Sequence, residues 1–269
     1  MKTKICIILL TVVILSCAYR IKPFINFFND TSSKISTELN IDLLEASESK
    51  SNAETEQVEN YDVLTKSYDY IDDSKQINIK ILYPQIAGMA DQKLEKNVNT
   101  IIKEAALNPY NEIVKIDNGI EQGTSWSVDY VIEYATDTVI SIKFGGYIYM
   151  QGNAHGIDRV YSANIDLTSG KKITISDIFN SSFKEKLDSR YFKGIDVDTT
   201  EAEESALKKI FDEHKKDFET SENNFYFTSD QFIILLPLGN YYRFGSNYED
   251  LKSAMIEDNL IWNSILDNR

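Results

Sequence analysis

Apolar residues recur at every second position in three successive runs, and this alternation constrains the fold more tightly than any other feature of the sequence. Trp126, Val128, Tyr130, Ile132 and Tyr134 alternate with Ser127, Asp129 and Glu133. The short link Ala135, Thr136 and Asp137 leads to Val139, Ile140, Ile142 and Phe144, and a third run covers residues 159–167. Neighbouring side chains of a strand point to opposite faces, so each run predicts a strand with one buried face. Short links between the runs predict antiparallel pairing. An earlier strand opens at Gln76, where Ile77, Ile79 and Ile81 alternate with Asn78 and Lys80 before Tyr83 and Pro84. Phe225, Tyr226 and Phe227, then Phe232, Ile233, Ile234, Leu235 and Leu236, flank Thr228, Ser229 and Asp230 as a late hairpin.

Two segments carry the helical period instead. Ala90, Leu94, Val98, Ile101, Ile102 and Ala105 fall on one face, which predicts a helix to about Leu107, stopped by Pro109. Ala202, Ala206, Leu207, Ile210, Phe211, His214 and Phe218 form a second stripe. Helices segregated from the strands, without alternating βαβ units, predict an α+β fold: an antiparallel β-meander with helices packed on one face.

The N-terminus reads differently. Lys2 and Lys4 precede an apolar run over residues 5–18, the order of an export signal. The run is shorter than the roughly 20 residues a membrane-spanning helix needs, which favours cleavage over a permanent span. It ends in Leu15, Ser16 and Cys17, similar to a bacterial lipobox, so Cys17 is the candidate lipidation site. A plain signal peptide or a retained anchor is the alternative. Residues 17–75 are rich in Ser, Thr, Asn and acid, and read as an acidic tether. The folded region is then expected over residues 76–256, in halves 76–150 and 151–256, followed by a C-terminal segment, 257–269.

The only cysteines, Cys6 and Cys17, lie in the leader, so an exported domain would have no internal disulfide and would depend on its core. That suits a Gram-positive surface. Removing residues 1–16 takes away Lys2 and Lys4, which moves the formal charge from −14 to −16. Such a charge opposes nucleic-acid binding and unaided binding to anionic lipid, and favours a cationic partner.

Little in the sequence points to catalysis, and the expectation is that the chain is not an enzyme. It has two histidines. His214 sits on an apolar helical stripe, where a hydrogen-bonded core imidazole is the ordinary reading. His155 lies in the loop Gly152, Asn153, Ala154, His155 and Gly156, where either a turn or a ligand contact is consistent with the residues. Nucleophile-elbow, zinc and phosphate-loop motifs are missing from the sequence, and no metal or other cofactor is expected. Asp72 with Asp73, and Glu203 with Glu204, lack calcium-loop spacing and read as solvated charge. Tyr241, Tyr242 and Arg243, of types common where proteins meet partners or sugars, join Asn153 and His155 as candidate ligand-binding residues.

The loop from Gly152 to Gly156, followed by Asn164, Asp166, Leu167, Gly170 and Lys171 and then by Ile175, Asp177 and Phe179, resembles the domain of unknown function 3298. Tyr83, Pro84, Gly88, Asn97 and Asn99 resemble its frequent companion, domain 4163. That resemblance implies the extracellular part of RsiV-type lysozyme-sensing anti-sigma factors, or a module beside deacetylase domains, and hence binding at the cell wall. Two features depart from the sensor pattern. Only four residues precede the apolar run, which predicts no cytoplasmic domain, and Leu238 to Tyr242 replace a proline- and tyrosine-rich stretch.

The expected function is an extracytoplasmic, membrane-anchored or secreted binding module for a cationic protein such as lysozyme or for a peptidoglycan component. The rivals are a wall-acting hydrolase using His155 beside Asp158, and an accessory structural domain.

Overall fold

The alternating runs form strands where the sequence places them, distributed over two sheets. The computed structural model describes residues 56–58, 60–116, 120–195, 201–220, 224–238 and 240–267. Strands β1 (Glu56–Val58), β2 (Tyr61–Asp72), β3 (Ile77–Ala87), β4 (Ser125–Ala135), β5 (Val139–Tyr149), β6 (Ile157–Asp166) and β7 (Lys171–Lys172) make a seven-stranded sheet in chain order. Strands β8 (Lys193–Gly194), β9 (Phe225–Phe227), β10 (Gln231–Leu238) and β11 (Asn240–Asn247) make a second, in the order β8-β11-β10-β9. The α+β architecture follows, with β4 to β7 as its antiparallel meander. One pair breaks the pattern, because β3 and β4 run parallel, joined by helix α1 (Gln92–Ile116).

Helix α1 starts where Asp91 caps it, its Oδ1 accepting from Lys93 N at 2.9 Å and Leu94 N at 3.0 Å. It lays Val98, Ile102 and Ala106 on the sheet, each fully buried with Ile79, Ile81 and Phe144. The helix does not stop at Pro109 as its sequence predicts; it continues to Ile116. A proline inside a helix costs about 3 kcal/mol or more. Buried Tyr110 and the packing of Ile113 and Val114 against the core offset that cost. Tyr161 adds a hydrogen bond from its hydroxyl to Ala106 O at 2.7 Å.

Of the acidic tether expected over residues 17–75, the part up to residue 55 lies outside the described residues, and the last part is a strand instead. Residues 61–72 are β2, with Tyr61 and Val63 buried. The strand is hidden in the sequence because its middle lies at a half-exposed margin, where Ser67 and Asp69 are as suitable as apolar residues. The folded region also runs past residue 256. Helix α2 (Ile175–Ile178), α3 (Phe183–Lys186), α4 (Glu201–Thr220), α5 (Tyr248–Leu251) and α6 (Leu260–Asp267) all pack on the second sheet's core. In α6, Trp262 is buried and donates through Nε1 to Ile178 O at 2.6 Å.

That second core is rich in phenylalanine: Phe179, Phe183, Phe192, Phe211, Phe225, Phe227, Phe232 and Phe244 pack ring against ring. Offset and edge-on pairs of this kind each contribute about 0.5–1.5 kcal/mol beyond the area they bury.

The outer edge of β9 docks on the face of the first sheet through side chains. Ser162 Oγ and Asn164 Nδ2 each lie 2.6 Å from Phe225 O. Phe227 N donates to Ser141 Oγ at 2.9 Å, and Ser141 Oγ donates to Asn164 Oδ1 at 2.6 Å. Edge backbone groups would otherwise be buried unpaired, so this network both satisfies them and fixes how the sheets cross.

Candidate ligand-binding face

The register of β4, β5 and β6 sorts their side chains into two faces. Trp126, Val128, Phe144, Ile148, Tyr161 and Ala163 point toward α1. The opposite face carries Ser127, Asp129 and Val131 on β4, Lys143, Gly145 and Tyr147 on β5, and Asp158, Val160 and Ser162 on β6. The second sheet covers one end of this face, where Val160 is buried with Tyr226, Ile233 and Leu235. Elsewhere the face is open: Val131, on β4 beside Lys143, is 42% exposed and Tyr147, two residues beyond Gly145, 40%, and a Cβ built on Gly145 would meet nothing within 4 Å.

Charge on this strip is unevenly matched. Lys143 pairs with Glu133 and lies 5.4 Å from the Tyr226 ring centre. Asp158 is half-buried and has no hydrogen-bond or ion-pair partner among the described residues. Burial alone pushes its carboxyl above the usual carboxylate range.

The loop after β5 borders the strip. Gly152 has φ +95°, in the left-handed region, and Asn153 N donates to Met150 O at 3.1 Å to close the turn. Gly156 N donates to Tyr147 OH at 2.8 Å, and a Cβ at Gly156 would lie 2.3 Å from Cζ of that ring. The second glycine of the loop is therefore the seat of Tyr147. Asn153 and His155 are both exposed. His155 Nδ1 lies 3.0 Å from its neighbour Gly156 O, and no hydrogen bond joins His155 to Asp158 among the described residues.

Among the described residues, no hydrogen bond links Asn153, His155 and Tyr242 to one another. Tyr242 is half-buried, packed against the phenylalanine core and stacked on Phe244 at 6.5 Å. Arg243, half-buried, sits opposite Leu235, on the face of the second sheet that carries Ile233. The side chain of Tyr241 and all of Cys17 lie outside the described residues. His214 is also off the core: its Nδ1 is 2.9 Å from Asp217 Oδ2. Among the described residues no cluster of three His, Cys, Asp or Glu side chains is placed to hold a metal, and no helix is long and apolar enough to cross a membrane.

Residues of the family-like motif turn out to be architectural. Asn164 belongs to the β9 network. Asp166 caps the β6–β7 turn: burial raises its carboxyl, but the Ser169 and Thr168 hydroxyls and amides hold it below the usual range. Gly170 turns with φ +65°, and its carbonyl accepts from Asn97 Nδ2 at 2.7 Å. Asn99 exchanges two 2.7 Å hydrogen bonds with the Ile86 backbone.

Residues 70–158, from the end of β2 through the loop to Asp158, match the family model described as Deacetylase PdaC. No curated protein matches the sequence. Solved structures do. The chain is similar to DUF3298 proteins. A member of that family from Bacteroides fragilis aligns at 15% identity and TM-score 0.49, over 81% of this chain and 100% of its own. A DUF3298 family protein from Pseudomonas aeruginosa aligns at 13% identity and TM-score 0.48, over 72% of this chain and 94% of its own.

Val131, Gly145 and Tyr147 escape a search for reactive groups because none of them is one. Their signal was positional: two large apolar residues and a glycine on the strand face that otherwise reads Ser127, Asp129, Glu133 and Lys143.

Proposed function

We propose that this chain is an extracytoplasmic binding module at the bacterial cell surface, with a cationic protein such as lysozyme as its partner. The observation that carries this reading is the open strip of β4 to β6, where exposed Val131 and Tyr147 flank an open floor at Gly145 beside the unpartnered carboxylate of Asp158. Interfaces combine aromatic contact with electrostatic complementarity in this way. The formal charge of −14 supports attraction of a basic partner over long range and argues against nucleic acid. Export through the basic and apolar leader, with a lipid on Cys17, would hold the module at the membrane. A role in binding rather than hydrolysis fits the contact of His155 Nδ1 with the backbone of its neighbour Gly156 rather than with a carboxylate of the described residues.

Calorimetric titration of the purified full chain with hen lysozyme, at low and at moderate salt, tests the proposal. Saturable binding that survives moderate salt is the expected result. Weak binding that vanishes with salt would reduce the attraction to nonspecific charge and redirect the search to peptidoglycan fragments.

A further inference from the structure

We propose that the notch above Gly145 receives an arginine side chain of the partner, its guanidinium plane against the Tyr147 ring and its charge met by Asp158. This inference rests on the reading that the open strip faces a cationic protein, and it names the group that anchors there. Register places Asp129 on one side of Gly145 and Val160 on the other, so the glycine is a gap in a row of side chains. Nothing within 4 Å of its virtual Cβ fills that gap. Tyr147 lies two residues along the same face, directly opposite Asp158.

Three properties select the occupant. A half-buried carboxylate without a hydrogen-bond partner is destabilising, and a cation brought by the partner relieves it. Arg159, next to Asp158, points to the opposite face of β6, and Lys143, the cation on this face of β4 to β6, is four residues away in register and engaged by Glu133, so Asp158 is left unneutralised. An exposed tyrosine ring beside a carboxylate suits guanidinium better than ammonium, because guanidinium is planar, weakly hydrated and able to stack while donating a pair of hydrogen bonds. A second copy of this chain is disfavoured as the occupant, since both copies carry the same −14 charge.

The test is an NMR titration of the full chain with arginine amide and, separately, with the neutral isostere citrulline amide. Arginine amide is expected to shift the signals of Gly145, Tyr147 and Asp158 and to lower the pH midpoint of the Asp158 carboxyl; citrulline amide is expected to do neither. Gly145→Leu fills the notch from a backbone position with room for it, and is expected to abolish these shifts and to weaken lysozyme binding about tenfold or more. Asp158→Asn, which keeps the shape, gives a second variant with the same expected loss. No shift with arginine amide, or an equal shift with citrulline amide, would overturn the notch. If lysozyme does not bind while arginine amide shifts the three residues, the partner is wrong and the notch stands. If lysozyme binds undiminished to Gly145→Leu and Asp158→Asn, the notch is wrong and the partner stands.

Discussion

Because the two sheets are held across a small buried polar network, replacing Asn164 by alanine is expected to cost far more than a typical substitution of a polar residue. Asn164 is 2% exposed and Ser141 0%. The change removes the bond from Nδ2 to Phe225 O and the acceptor for Ser141 Oγ, at about 1 kcal/mol for each bond. It also leaves the Ser141 hydroxyl hydrogen buried without an acceptor, a further penalty of about 1–3 kcal/mol. Phe225 O keeps Ser162 as a donor, so no second orphan is added. The total is about 3–5 kcal/mol, a large share of the roughly 5–15 kcal/mol that stabilises an ordinary domain. Urea unfolding followed by tryptophan fluorescence measures it, since Trp262 reports on the second core and Trp126 on the first. A loss below about 1 kcal/mol, within the range of a single ordinary hydrogen bond, would refute the claim that this network pins β9 to the first sheet.

Asp158→Asn is expected to stabilise the isolated chain at neutral pH. A carboxyl whose folded value is raised contributes stability that is present below its unfolded value and lost as pH rises through the folded one, so the gain over wild type vanishes at acid pH; parallel unfolding curves at both pH values check this. Asp166→Asn reverses the sign: the wild-type advantage, present above the ordinary aspartate value, is lost as pH falls through the lowered one. Gly156→Ala is expected to destabilise by about 1–3 kcal/mol through overpacking against Tyr147, measured by thermal melting. His155→Ala leaves stability within about 0.5 kcal/mol and reduces lysozyme affinity only modestly, whereas a hydrolase would lose turnover by orders of magnitude.

The sequence shows most clearly what a single buried face requires. Strands β4, β5 and β6 are legible because one face of each packs under α1, and the period of two survives along their length. Strand β2 is not, because its middle is exposed and its residues are chosen for solvent rather than core. Strand β11 escapes for a different reason. Tyr242 and Phe244 face the core while Arg243 and Gly245 lie on the other face, and the residue types Tyr, Tyr and Arg draw the segment into the ligand-binding candidates rather than into the partner strand of β10. The continuation of α1 past Pro109 is a tertiary effect, set by buried Tyr110, that local propensity opposes. The candidate site is less legible than the fold. Conspicuous residues such as His155 and Tyr242 draw the eye in sequence, whereas the strip at Gly145 exists only once strand register brings β4, β5 and β6 side by side.

The most direct test of the binding face is amide NMR mapping of the full chain with hen lysozyme added to saturation. Perturbations confined to Val131, Gly145, Tyr147, Asp158 and the loop at residues 151–156 are the predicted result. Perturbations that instead cluster on α1 or α4, with the strip of β4 to β6 unchanged, would contradict it.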